Sequence, residues 1–289
     1  MDNLRGAAWM TLAMLGFALA DTFIKLLSDD FPIWQIIAIL GFGGALTFGA
    51  ATLAQGQSLF PRAVLSKAVI IRNIGEVLGT LGFVTALTLI PLSSASAILQ
   101  ATPLVVTLGA ALFLAEKVGW KRWSAILVGF FGVMLIIRPG MDGFNVHALF
   151  AVLAVIGLAI RDLATRWVPR NVSSSQLSFF ALLVLIPAAF LLGAITAAPM
   201  VRPQGWDWAV ICGAVSMGVL AYFSIVTAMR VGEISFVTPF RYSRILFALV
   251  IGVVIFGERP DALMLIGAAL IVGSGLFTLW RERKHRAAT

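Results

Sequence analysis

Two stretches, GFALADTFIKLLSDDFPIWQ at 16–35 and GLAIRDLATRWVPRNVSSSQ at 157–176, decide how this chain is built. Each carries a glycine, an aspartate, a base and a glutamine at the same places. Gly16, Asp21, Lys25 and Gln35 in the first are met 141 residues later by Gly157, Asp162, Arg166 and Gln176. A second set, Ala86, Ser93, Ser96 and Glu116, is met 142 residues later by Ala228, Ser235, Thr238 and Glu258. Leucines and alanines coincide by chance in any apolar chain, whereas polar landmarks in near-gapless register mark a tandem duplication. The units are 1–142 and 143–289.

Around these landmarks the sequence is apolar. Hydrophobic residues make up 60% and charged residues 12%, with a mean hydropathy of +1.00, against about 25% charged residues in a soluble domain. Runs of roughly twenty apolar residues, enough to cross about 30 Å of hydrocarbon as helix, follow one another along the chain. Stretches such as Ile126 to Ile137 are apolar on every side, so they read as helices and not as alternating barrel strands. Ten spans are expected, at 6–27, 33–55, 64–88, 93–114, 121–138, 146–168, 174–196, 207–229, 234–256 and 262–280. Prolines fall mostly between them, as at Pro32, Pro61, Pro91, Pro139 and Pro169. Arg5, an apolar run and Ala18-Leu19-Ala20 resemble a signal peptide with its cleavage site. The repeat argues against that, because the same segment has a partner in the second copy.

Five spans per copy is an odd number, so the second copy enters the bilayer from the opposite side. Alternating the loops collects Arg5, Arg62, Lys67, Lys117, Lys121, Arg122, Arg166, Arg170, Arg230 and the basic tail on one side. Only Lys25, Arg138, Arg202 and Arg259 fall on the other. The positive-inside rule then places both termini in the cytoplasm. Topology thus accounts for the net charge of +8 and the pI near 10.6, which in a soluble protein would point to nucleic acid. The single cysteine, Cys212, allows no intrachain disulfide, His147 and His285 lack neighbours for a metal site, and no phosphate-binding GxxxxGK[ST] loop is present. No cofactor, metal, nucleic-acid partner or catalytic residue is expected.

The E-[KR] step that follows the fourth and ninth spans, Glu116-Lys117 and Glu258-Arg259, is joined by three other features. These are Pro103 thirteen residues before Glu116, the Gly129-Phe130-Phe131-Gly132 step, and the junction from Ala86 through Pro91-Leu92-Ser93 to Ala95. With ten spans in a five-plus-five repeat, the chain resembles the EamA-type branch of the drug/metabolite transporter superfamily over essentially its whole length. The second copy departs from the pattern, with Ile245 where a proline is expected. The resemblance implies eight helices around a cavity, with the fifth and tenth outside at a homodimer contact. It also implies export or exchange of amino acids or related metabolites by alternating access, the mode of inverted-repeat carriers.

Charges at bilayer depth cost at least about 2.5–3.5 kcal/mol on insertion scales, so they face a cavity or a partner. Asp21 with Lys25, and Asp162 with Arg166, are acid and base four residues apart on one helix face. Opposite orientation of the copies places these pairs near opposite membrane faces, as two gates. Snorkelling of the bases to headgroups is the plainer reading. Arg72, Asn73 and Glu76, continued by Thr80 and Phe83, form a polar stripe on the third span. Arg161 has no counterpart in the first copy, and Arg241, Tyr242 and Arg244 lie near the middle of the ninth span. Paired arginines attract a carboxylate or phosphate; the alternative is a structural lock with Glu76 or Asp162. Ser93, Ser96, Gln100 and Thr107 on the fourth span are answered by Ser235, Thr238 and Tyr242 on the ninth.

The candidate substrate site is therefore Arg72, Asn73, Glu76, Ser96, Gln100, Arg161, Thr238, Arg241, Tyr242 and Arg244. Glu76, Asp21 and Asp162 are candidates for proton coupling. The arginines favour an alternative in which the chain takes up an anionic vitamin or nucleotide-like metabolite. A membrane enzyme would need a nucleophile and base at workable spacing, and a passive channel sits poorly with charges at both ends of the repeat. The expected location is the inner membrane.

Overall fold

The computed structural model describes residues 2–113, 119–140, 144–169 and 171–286, with the side chains of 230, 234, 235 and 282–286 not described. Glu116, Lys117 and Arg170, and the side chain of Ser235, therefore lie outside the described residues. The chain is all-helical among the described residues, because backbone amides in lipid find partners only within their own helix. Among the described residues, ten helices are long and apolar enough to cross a membrane. They are span 1 (Asp2–Leu27), span 2 (Ile33–Ala54), span 3 (Lys67–Leu89), span 4 (Leu92–Phe113), span 5 (Trp120–Ile137), span 6 (Ala148–Thr165), span 7 (Ser174–Thr196), span 8 (Asp207–Met229), span 9 (Thr238–Phe256) and span 10 (Ala262–Arg281).

Three spans are interrupted near a proline. Pro103 cannot donate to the Leu99 carbonyl, so span 4 breaks at Gln100–Ala101 and the Thr102 hydroxyl donates to that carbonyl instead, at 2.6 Å. Pro187 stands four residues after Leu183, where the first segment of span 7 ends. Pro239 lies in the 3₁₀ turn Thr238–Tyr242 that opens span 9.

The spans pair as 1 with 8, 3 with 6, 2 with 7 and 5 with 10, while span 4 packs chiefly on span 6 and span 9 on span 1. Exchanging the two copies maps 1·8 onto 6·3 and 4·6 onto 9·1, and leaves the other pairs unchanged. Individual bonds obey the same exchange. Gln35 at the head of span 2 donates to the Val201 carbonyl (2.6 Å) and accepts from its amide (2.9 Å), pinning the loop before span 8. Gln176 at the head of span 7 donates to the Ser58 carbonyl (2.7 Å), pinning the loop before span 3. Spans 2 and 7 both end in a left-handed turn, at Gly56 (φ 69°) and Ala197 (φ 50°).

Spans 5 and 10 form their own pair at the edge of the bundle. Their backbones meet at Gly132 and Gly267, where a Cβ on either would lie 2.6–2.7 Å from the other's carbonyl oxygen. Arg138, in the left-handed conformation that ends span 5, pairs with Asp261, which also accepts from the Met264 amide at the head of span 10. The hydrogen bonds from Arg138 and Met264 hold the Asp261 carboxyl below its ordinary pKa of 3.8.

Candidate functional site

The central charges are placed by a backbone contact. Spans 3 and 6 cross at Gly75, Gly79 and Gly82 against Gly157 and its neighbours. A Cβ on Gly157 would lie 2.3 Å from the Gly79 nitrogen, and one on Gly75 would lie 2.6 Å from the Arg161 nitrogen. This approach carries Arg161 to Glu76, Nη1 to Oε2 3.6 Å, while its Nε and Nη2 hold Asp162 Oδ1 at 2.9 and 2.8 Å. One turn away on span 3, Arg72 Nη2 lies 4.0 Å from Glu76, and its Nη1 donates to Asn73 and to the Leu177 carbonyl, each at 3.4 Å. Arg72, Asn73, Glu76, Arg161 and Asp162 thus form one network between spans 3 and 6, closed by span 7. Tyr222 of span 8 stands near both Arg72 and Arg161; its hydroxyl bonds Ser178 and its ring meets Phe48 edge-on at 4.8 Å.

A second cluster joins spans 1 and 9. Arg244 donates to Asp21 Oδ2 through Nη2 (2.6 Å) and Nε (3.2 Å), and its guanidinium stacks between Phe17 and Phe83 at 5.1 and 5.2 Å. The structure therefore corrects the pairing along each helix. Asp21 binds Arg244 and not Lys25, and Asp162 is held by Arg161. Guanidinium forks reach a short aspartate with two donors, while Lys25 is drawn elsewhere. Its ammonium donates to the Leu87 and Ile90 carbonyls, 2.9 and 2.8 Å, capping the end of span 3 over the Phe256 ring. Next to it, Glu258 accepts from the Leu92 amide and from the amide (3.0 Å) and hydroxyl (2.5 Å) of Ser93, capping span 4. Carbonyls that end one span and amides that start the next are thus held by one base and one acid.

The remaining sequence candidates separate. Gln100 donates to the Arg241 carbonyl at 3.1 Å, tying the break in span 4 to the turn that opens span 9, where Thr238 also lies. Ser96 is fully buried with its hydroxyl unpartnered. Tyr242 is turned away from the charges: its hydroxyl is buried against Gly275 of span 10, without a hydrogen bond. Arg241 stays within reach of the charges, so that the fields of Asp162, Arg161 and Arg244 act on its guanidinium.

Packing of the bundle differs at its two ends. Away from the termini, one continuous core runs from Ile24 and Leu27 through Leu87, Ile90 and Leu92 to Val210 and Ile251. Towards the termini, buried residues divide into two patches. One holds Met10, Met14, Ala228 and Val237, and the other Val64, Val69, Val172 and Leu177. The side chains of Asp162 and Arg161 are 31% and 24% exposed, against 5% for Asp21 and 8% for Arg72. The charged centre is thus least covered at Asp162 and Arg161, on the side towards the termini.

Sequence reasoning missed Tyr222 and Phe17. Tyr222 had a signal: it stands 142 residues after Thr80, a member of the polar stripe on span 3. Phe17 had none, because one aromatic residue in an apolar helix looks like any other.

Ten apolar helices in two inverted halves, closed around charges that lipid would not accommodate, define a membrane transporter. The chain belongs to the EamA-like transporter family, whose profile matches it twice, at residues 4–138 and 146–280, and which falls within the drug/metabolite transporter superfamily. It is a multi-pass inner-membrane transporter of small metabolites. Curated relatives cover nearly the full length. A riboflavin transporter of Vibrio cholerae is 33% identical, with 98% of this chain and 96% of the relative covered. An S-adenosylmethionine uptake transporter of Rickettsia felis is 24% identical (97% and 94%), and a riboflavin transporter of Rhizobium johnstonii is 28% identical (97% and 92%). A solved crystal structure at 22% identity shares the fold, with a TM-score of 0.61 and 98% of both chains covered.

Proposed function

We propose that the chain is an uptake carrier for a vitamin or nucleotide-like metabolite. The observation that carries this reading is the division of the charged residues by the repeat. Those with counterparts, namely Asp21 and Asp162, Lys25 and Arg166, Glu258 and Glu116, belong to the moving halves. Those without, namely Arg72, Glu76, Arg161, Arg241 and Arg244, have no counterpart in the other copy and, with Asn73, gather at the centre, where a solute is recognised. Relatives named for riboflavin and S-adenosylmethionine support uptake of such compounds over the amino-acid export expected from the sequence.

In this proposal both termini are cytoplasmic, the more open side faces the cytoplasm, and Lys25 and Glu258 seal the outer end. The equivalent residue Arg166 seals the inner end when the halves rock, and spans 5 and 10 supply a dimer contact. Glu258→Gln is expected to cut the rate of uptake about tenfold, the equivalent of losing one charge-assisted hydrogen bond. Solute affinity should stay within about twofold, since Glu258 lies away from the central charges. Proton coupling belongs to the same proposal. Glu76→Gln should change the pH profile of uptake, and an unchanged profile would remove Glu76 from coupling.

The test is uptake into proteoliposomes of labelled riboflavin, S-adenosylmethionine and a panel of amino acids. Saturable entry of either of the first two, accelerated by the same compound preloaded inside, supports the reading. Counterflow of amino acids alone would replace it with the exporter reading, and non-saturating flux with a channel.

A further inference from the structure

Among the described residues at the centre, four guanidinium groups, those of Arg72, Arg161, Arg241 and Arg244, face three carboxylates, Asp21, Glu76 and Asp162. Asp21 is taken by Arg244, Asp162 by Arg161, and Glu76 lies between Arg161 and Arg72. Arg241 is left over. Its main-chain carbonyl is held by Gln100 at 3.1 Å, so its backbone is fixed, while its guanidinium makes no hydrogen bond or ion pair with a described residue. The charged groups acting on it are Asp162, already engaged, and the cations Arg161 and Arg244, while the neighbouring Tyr242 turns its hydroxyl towards span 10. Protonation of any of the three carboxylates would only enlarge the positive excess.

An ionised group inside a bundle that lacks a protein partner is expensive to keep, and guanidinium is the side chain best shaped to meet a planar pair of oxygens. We infer that Arg241 is the specificity-determining residue of the proposed site: its fork receives an acceptor edge of the solute, a ring carbonyl with the acceptor nitrogen beside it or an anionic group, and the surplus positive charge turns cationic solutes away. This deepens the uptake reading and rests on it. A neutral oxidised flavin presents a carbonyl oxygen beside an unprotonated ring nitrogen, and its phosphomonoester adds a negative charge; both fit. A sulfonium nucleoside brings a cation into a site that is already positive and does not fit. The two chemistries that the uptake reading leaves side by side are thereby separated.

The experiment measures uptake of labelled riboflavin and of labelled S-adenosylmethionine by the full chain in proteoliposomes. Each compound and flavin mononucleotide serve as competitors, in the wild type, Arg241→Gln and Arg241→Lys. The expected result is competition by both flavins and none by S-adenosylmethionine at tenfold higher concentration. Arg241→Gln should raise the half-saturating concentration of riboflavin at least tenfold at equal folded protein, and Arg241→Lys should recover only part, because an ammonium lacks the planar fork. Carriage of S-adenosylmethionine by the wild type overturns the inference and leaves the uptake reading intact. So does an unchanged half-saturation for riboflavin in Arg241→Gln. Saturable transport of neither compound overturns the uptake reading itself, and the inference with it.

Discussion

Arg244→Ala is expected to unfold the protein at markedly lower temperature than the wild type, and Asp21→Asn added to it should restore most of the loss. Arg244 donates twice to Asp21, whose side chain is 5% exposed, and removing the arginine strands a carboxylate in the apolar bundle. Breaking a buried pair from one side costs about 3–5 kcal/mol. Neutralising the stranded partner removes the uncompensated charge, so the double variant should lie much nearer the wild type. From sequence alone the same variant is expected to stay folded and lose only its solute. The structure changes that expectation, because the charge of Arg244 is committed to span 1. Thermal unfolding of the detergent-solubilised protein reads both effects. Additive losses from the two substitutions would contradict the pairing.

Gly157→Ala should be the more damaging of two equivalent substitutions. Gly157 and Gly16 hold the same place in the two copies, yet a Cβ at 157 would sit 2.3 Å from the Gly79 nitrogen and 2.8 Å from the Gly75 carbonyl oxygen. Neither is a side chain that can swing aside, so spans 3 and 6 must separate. Overpacking a tight contact costs about 1–3 kcal/mol, sometimes more. Separation also draws Arg161 away from Glu76, so uptake should fall more than tenfold. At Gly16 the nearest atom is the Ala221 Cβ at 3.0 Å, a clearance that a shift of a few tenths of an ångström restores. Gly16→Ala is therefore expected to keep most of its folded yield by size-exclusion chromatography. Equal yields from the two variants would mean that the halves are packed alike.

Hydropathy and proline spacing were enough to place the spans, because in runs apolar on every side, which rule out barrel strands, lipid leaves the backbone only the helix. Span 1 beginning at Asp2, and span 3 beginning at Lys67 after the 3₁₀ turn Arg62–Leu65, are departures of a few residues. Partners were harder to read than positions. The four-residue spacing of Asp21 and Lys25 says that they share a face, but Arg244, 223 residues away, reaches Asp21 only once spans 1 and 9 are packed. Tyr242 illustrates another limit. Its register with Gln100 is correct, but the turn containing Pro239 is wound as 3₁₀, with about three residues per turn in place of 3.6. A side chain near the end of such a turn points elsewhere than an α-helical register implies, here towards span 10. The Glu258 of the E-[KR] step was visible as a motif, whereas its role in capping span 4 depends on a loop returning from the far end of span 9.

The most direct test of the central account, one charged site between two inverted halves with its more open side towards the termini, is accessibility at that site. With the single cysteine removed as Cys212→Ala, Asn73→Cys places a thiol beside Arg72 and Glu76. A membrane-impermeant maleimide is then applied from each side in turn. The account predicts labelling from the side of the termini, slowed by riboflavin at the concentration that half-saturates uptake. Equal labelling from both sides, unaffected by solute, would contradict it.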